Sequence, residues 1–290
     1  MIAAAPPSVP RSAQPSTLDD ILGHRLEIVD LPAQRADRPP LVFLHEGLGS
    51  VAMWRDFPAR VAHATGARVV VYSRIGFGRS SPREQPYTPR FMHDEALVVL
   101  PALRAGLGLG RPVLVGHSNG ASMSLIHAGH FETGGVIAMA PFACVEEANL
   151  RTIRAARELW RDTDLRAKLA RYHDDVDSVF WGWNDIWLSP AFRSWSIEAD
   201  LAGIRCPVLA ILGDGDRYST PAQVAAIERH AVRAARFESL ILADCGHSPH
   251  RDQPAVVIEA IVRFVDQLDA RSSATSTGSA SEPGRCEPGR

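Results

Sequence analysis

Little in this sequence marks a specialised environment. It has four cysteines in 290 residues, Cys144, Cys206, Cys245 and Cys286, and no two are spaced like metal ligands or a redox pair. Three lie in or beside apolar segments, where a free cysteine packs as a small hydrophobe, and this fits a reducing cytoplasm. No apolar run reaches about 18 residues, so no membrane span is expected. The opening stretch, MIAAAPPSVPRSAQPSTLDD, lacks an apolar core long enough for a secretory signal. Charge of one sign is never concentrated: 31 basic and 33 acidic residues leave a formal net charge of −2. That excludes the basic footprint of a nucleic-acid or anionic-membrane partner. No His, Asp and Glu residues cluster at metal-ligand spacing. The turn RIGFG (74–78) lacks the third glycine and the later acid of a dinucleotide fingerprint. The sequence therefore implies no metal, no cofactor and no marked oligomer interface, and the expected partner is a small-molecule substrate.

What is present is enough apolar material, 46% of residues, for one large domain or one domain with an insertion. Both ends read as tails that bury too little surface to offset ordering entropy: 1–17, rich in Pro, Ala and Ser, and 271–290, rich in Ser, Gly and Pro. Between them, short β-rich runs alternate with helical patterns. The predicted strands are 25–31, 40–46, 67–74, 112–118, 134–141, 206–214 and 237–244. The predicted helices are 50–65, 90–106, 119–130, 220–230 and 252–269. Several of the strand runs are continuously apolar, as in strands covered on both faces. This alternation predicts an α/β fold, a mostly parallel sheet flanked by helices. One region breaks the rhythm. Residues 143–203 contain no convincing strand, read as several helices, and hold five of the six tryptophans: Trp160, Trp181, Trp183, Trp187 and Trp195. An all-helical insertion of this kind predicts a cap over a core formed by 18–142 and 204–270.

At the middle of the chain the run PVLV ends in Gly-His-Ser-Asn-Gly, and a small-residue segment follows at once. Glycines two residues either side of Ser118 suit a very tight strand-to-helix turn, where side chains at those positions would strike backbone. An unassisted serine is a poor nucleophile and needs a base that is itself oriented by an acid. In a parallel sheet such residues belong at the carboxyl ends of strands. Asp214 and Asp216 both follow one apolar strand, and His247 follows the last.

In this order the chain resembles the α/β-hydrolase superfamily, over residues of about 25 to 269. HEGLGSVAMW (45–54) is similar to its oxyanion loop, and RIGFGRS (74–80) to the glycine-rich turn after the next strand. GHSNG (116–120) is similar to the nucleophile elbow, GDGD (213–216) to the acid loop and CGHSPHRDQP (245–254) to the histidine loop. The resemblance implies Ser118 as nucleophile, His247 as base and Asp216, rather than Asp214, as acid. It implies an oxyanion hole formed by the N–H groups of Asn119 and Gly47. Trp181, Trp183 and Trp187 of the cap are candidates for binding an apolar or aromatic substrate; packing of the cap is their alternative role.

One residue departs from the pattern. The usual His-Gly becomes His45-Glu46, with Glu46 expected to turn away and pair with Arg74 or Arg79, or else to face the site. His117 is expected to pack beside the nucleophile strand, His250 to be a rim or structural residue, His173 to lie on an exposed helix face or else reach a cap-lined pocket, and His45 to order its own loop. The implied activity is that of a carboxylesterase acting through an acyl-enzyme on Ser118. The alternatives are a C–C bond hydrolase of aromatic ring-cleavage products and a slow-turnover small-molecule receptor of the same fold.

Overall fold

The structure is a computed structural model that describes residues 16–276. The expected tail segments 1–15 and 277–290 lie outside the described residues. Eight strands form one sheet: β1 (Thr17–Ile21), β2 (His24–Leu31), β3 (Leu41–Leu44), β4 (Val69–Tyr72), β5 (Val113–His117), β6 (Gly135–Met139), β7 (Val208–Gly213) and β8 (Phe237–Leu242). Their order is β1-β2-β4-β3-β5-β6-β7-β8. From β4 to β8 every pairing is parallel, while β1 and β2 join antiparallel at one edge. Every residue of β3 to β7 is buried, which explains why these segments are apolar without alternation.

β1 falls in the segment that the sequence assigned in part to a tail. Its residues, TLDDI, are mostly exposed, so they carry no apolar signature. The strand exists because Leu22 and Gly23 form a two-residue hairpin turn with φ of 57° and 77°, pairing Ile21 with His24.

The helices are α1 (Phe57–Thr65), α2 (Phe91–Asp94), α3 (Leu100–Gly106), α4 (Asn119–His130), α5 (Glu147–Asp162), α6 (Leu165–Leu169), α7 (Val176–Leu188), α8 (Glu198–Leu201), α9 (Pro221–His230), α10 (Pro249–Asp252) and α11 (Pro254–Ser276). The run predicted as one helix over 90–106 is α2 and α3 joined by a π-helical segment, Glu95–Val99. α11 continues to Ser276, six residues into the stretch read as a tail. α1 and α11 pack together on one face of the sheet, with Val61, Val257, Ile261 and Phe264 in a shared apolar cluster. α4 covers the other face. Between β6 and β7 the chain leaves the sheet to form α5 to α8, its longest excursion between strands among the described residues. No helix among the described residues is long and apolar enough to cross a membrane.

Candidate active site

β3, β5, β7 and β8 run parallel, so the loops that follow them gather at one edge of the sheet. β5 passes into α4 with a single residue between, Ser118, whose backbone sits at φ 55° and ψ −120°. A non-glycine residue there is strained by about 1–3 kcal/mol and persists only where its surroundings leave no alternative. Here they leave none. A Cβ on Gly116 would strike the Gly120 carbonyl, and one on Gly120 would strike the Leu44 and His45 carbonyls. The two glycines let α4 start against the end of β3, and the serine is pushed out at the apex.

The loops then converge on that serine. His247 Nε2 lies 3.0 Å from Ser118 Oγ. His247 Nδ1 lies 2.8 Å from Asp216 Oδ2 and 2.9 Å from Oδ1. Because Nδ1 faces a carboxylate, it carries the ring proton, which leaves Nε2 free to accept from the serine hydroxyl. The Asp216 side chain is fully buried. Burial would raise its carboxyl, but His247 and the backbone N–H groups of Tyr218 and Ser219 hold it below the usual carboxylate range. Burial pushes the His247 imidazole down, only partly opposed by Asp216. The imidazole is therefore neutral at neutral pH, the state in which Nε2 can accept a proton. Asp214 is exposed and lies near the Cys245 N–H at 3.4 Å, within the turn.

The loop after β3 is fixed from below. Arg74, buried directly after β4, donates to the His45 carbonyl at 2.5 Å and to the Glu46 carbonyl at 2.9 Å. His45 Nδ1, at 2.8 Å, and Gly49 N–H, at 3.1 Å, also reach the Glu46 carbonyl. The peptide group is planar and trans, so anchoring that carbonyl turns the Gly47 N–H to the opposite side. Gly47 is packed under Trp183: a Cβ on it would lie 2.5 Å from Trp183 Nε1 and 3.3 Å from Asn119 Nδ2. Gly47 and Asn119, the two expected oxyanion residues, are thus neighbours.

Two of the expectations for lesser residues require correction, those for Glu46 and His173. The Glu46 carboxylate pairs with neither Arg74 nor Arg79. Arg74 is committed to main-chain carbonyls, and the Glu46 side chain faces His117 Nδ1 at 3.5 Å. His173 is not on an exposed helix face. It is buried, with Nδ1 accepting from Gly78 N–H at 3.0 Å and Nε2 2.9 Å from the Leu48 carbonyl, tying the cap to two core loops. Of the two positions expected for His250 it takes the structural one, buried with its ring against Trp54, Phe57 and His117.

The cap tryptophans separate. Trp183 reaches Gly47 in the loop after β3, as above. Trp187 is buried against Phe142, whose ring in turn lies 6.1 Å from that of His247. Trp181 is not brought to the triad. It meets Trp160, Phe180 and the Arg157 guanidinium, and lines an outer cleft of about 540 Å³ between α7 and residues 82–87. Tyr218, which sequence reasoning missed, covers His247 with ring centroids 4.6 Å apart. Its only signal was its place two residues beyond Asp216. No group of three or more His, Cys, Asp and Glu side chains among the described residues is placed to hold a metal.

The chain belongs to the alpha/beta hydrolase family, whose profile matches residues 41–260. Over 120 residues it is 31% identical to a proline iminopeptidase of Lactobacillus helveticus (strain DPC 4571), and this match spans about 40% of the length of each protein. A longer match, 22% identical, covers 81% of this chain and 93% of the proline iminopeptidase of Lactobacillus crispatus (strain ST1). Among solved structures, proline iminopeptidase of Mycobacterium smegmatis has a TM-score of 0.69 at 19% identity, over 89% of this chain and 100% of that one. The enol-lactonase from Burkholderia xenovorans LB400 has a TM-score of 0.66 at 18% identity, over 87% of this chain and 100% of that one. At such identities the structural likeness establishes the fold alone.

Proposed function

We propose that this protein is a serine hydrolase that cleaves a carboxylic ester, or a related acyl bond, of a small apolar substrate. The observation that carries the reading is the continuous line Ser118 Oγ–His247 Nε2 at 3.0 Å and His247 Nδ1–Asp216 at 2.8 Å, at the apex of a strained turn. In this reading His247 takes the Ser118 proton as Oγ attacks the carbonyl carbon. The N–H groups of Asn119 and Gly47 hold the oxyanion, each contributing on the order of 3 kcal/mol to the barrier reduction. The imidazolium, steadied by Asp216, then protonates the leaving group, and water repeats the sequence on the acyl-enzyme.

The aromatic surroundings of the triad, Trp183, Trp187, Phe142 and Tyr218, favour an apolar acyl group. The relatives named proline iminopeptidase suggest a second substrate class. A free N-terminal prolyl group brings a charged amine that needs an acidic partner, and the acid nearest the oxyanion loop, Glu46, is occupied by His117. An ester is therefore the better fit.

The test is steady-state hydrolysis of p-nitrophenyl butyrate by the wild type and by Ser118→Ala. Repeated turnover that drops by at least about 10³-fold in the variant supports the reading. Equal turnover in both, or none in the wild type, sinks it. Prolyl p-nitroanilide and a ring-cleavage dienone, run in parallel, separate the peptidase and C–C hydrolase alternatives.

A further inference from the structure

Two side chains beside the nucleophile carry hydrogen-bond donors that the proposed reaction leaves unused. Asn119 follows Ser118 and is 2% exposed; Trp183 comes from α7 of the cap and is 8% exposed. Their nitrogens converge on one face of Gly47, where an added Cβ would lie 2.5 Å from Trp183 Nε1 and 3.3 Å from Asn119 Nδ2. An indole N–H and an amide NH₂ only donate. Neither nitrogen bonds to another group among the described residues. The indole nitrogens of Trp187 and Trp195 also lack partners, but they are sealed within the cap's own packing. That of Trp183 stands instead against the residue next to the expected oxyanion site.

The loop after β3 supplies no acceptor for these donors. The His45 and Glu46 carbonyls are turned to Arg74, and the Leu48 carbonyl to His173 Nε2. The Glu46 carboxylate faces His117. A buried donor with no acceptor is costly, so one kept beside a nucleophile points to an acceptor that arrives with the substrate. That acceptor is uncharged. The one arginine under the loop is spent on main-chain carbonyls, Glu46 would repel an anion, and the remaining walls near the triad are the rings of Trp187, Phe142 and Tyr218. Gly47 and Asn119 also supply the N–H groups assigned to the oxyanion. The second oxygen therefore sits close to the first, as oxygens on adjacent carbons do.

We propose that Asn119 Nδ2 and Trp183 Nε1 form a subsite for a second, uncharged oxygen of the substrate, carried on the carbon next to the scissile carbonyl. The preferred acyl groups are then α-alkoxy, α-hydroxy or α-keto acyls. This deepens the serine-hydrolase reading and, for its effect on rate, rests on it. It also gives the cap a specificity-determining residue, Trp183, that acts only where glycine at position 47 lets the indole approach.

The experiment compares p-nitrophenyl methoxyacetate with p-nitrophenyl butyrate, acyl groups of equal length in which an ether oxygen replaces a methylene. kcat/KM is measured for both esters with the wild type, Asn119→Leu and Trp183→Phe. Each ratio is divided by the ratio of the uncatalysed rates, which removes the intrinsic reactivity of the ether ester. The wild type should favour methoxyacetate by about tenfold or more, and each variant should cut that preference by about threefold to tenfold, whatever else it does to kcat or KM. A merely structural role would slow both esters alike and leave the ratio as it was. A wild type without preference, or a ratio unchanged in either folded variant, overturns the proposal. A second readout needs no turnover and neither of those variants to be active. In Ser118→Ala the indole N–H proton of Trp183, assigned by its loss when Trp183→Phe is added, should move downfield on titration with methyl methoxyacetate and not with methyl butyrate. No such movement overturns the proposal. A wild type that cleaves neither ester counts against the hydrolase reading, and the indole proton still judges the subsite. One that cleaves both without preference sinks the subsite alone.

Discussion

At the end of β5, backbone dictates the residues. Ser118 stands at φ 55° between two glycines, where an added Cβ would strike the carbonyls of Leu44, His45 or Gly120. In the cap, side chains dictate one another. Trp160 stacks on Phe180 with ring centroids 3.9 Å apart, and Trp195 stacks on Phe192 at 5.2 Å. A backbone constraint admits few residues and leaves a sharp trace in sequence, here Gly-x-Ser-x-Gly. A packing constraint admits any set of side chains of suitable volume. The core therefore announces its chemistry, and the cap announces only that it is helical and aromatic.

The strongest way to break this contrast is Gly120→Val. The added side chain would meet main-chain carbonyls that cannot give way. We expect a loss of at least about 3 kcal/mol of stability, measured by chemical denaturation. A variant that unfolds with the wild type would mean that the elbow has slack the structure denies. Arg74→Met comes next. It keeps bulk beneath the oxyanion loop but releases the carbonyls of His45 and Glu46. If those bonds aim the Gly47 N–H, kcat for the ester should fall about 10²-fold with KM little changed, close to the loss of one oxyanion donor. A change in KM alone would assign Arg74 to binding instead.

A smaller effect concerns pH. In the proposed reaction a protonated His247 cannot accept the serine proton, so kcat/KM should rise as pH rises through its pKa. Burial, the larger influence, holds that pKa below the ordinary histidine value of 6.5. The acid limb should therefore have its midpoint below pH 6.5. Asp216→Asn removes the partner that raises it and should move the midpoint lower still, besides reducing kcat. A midpoint above 6.5 in the wild type would show that Asp216 outweighs burial.

How much was legible follows the same division. The seven core strands, the elbow, the acid loop and the histidine loop each leave a run of residues that geometry restricts: apolar strands covered on both faces, glycines at close approaches, an acid and a histidine just past strand ends. β1 was illegible because an exposed edge strand need not be apolar, and only the Leu22–Gly23 turn betrays it. Arg74 and His173 were illegible for a different reason. An arginine or histidine in a polar turn reads as surface, and the carbonyls that bury each as a donor come from distant segments: Arg74 to His45 and Glu46, His173 to Leu48. Glu46 was visible as a departure, but its partner depended on how the oxyanion loop faces the elbow.

The smallest expected effects test whether the cap tryptophans divide as their positions indicate. Trp181 is half-buried, beside the cleft formed with residues 82–87, and its ring partners are Trp160, Phe180 and Arg157. Trp183, two residues along α7, lies roughly 200° around the helix and presses on Gly47. Trp181→Phe should leave KM for the ester within about twofold and lower stability by less than about 1 kcal/mol, since a ring still fills much of the site. Trp183→Phe retracts the indole nitrogen end from Gly47 and should change KM by about threefold to tenfold, a free-energy difference of only about 1 kcal/mol. If instead Trp181→Phe moves KM and Trp183→Phe does not, substrate enters by the outer cleft and is held there. The cap would then contribute binding from the face of α7 that turns away from the triad.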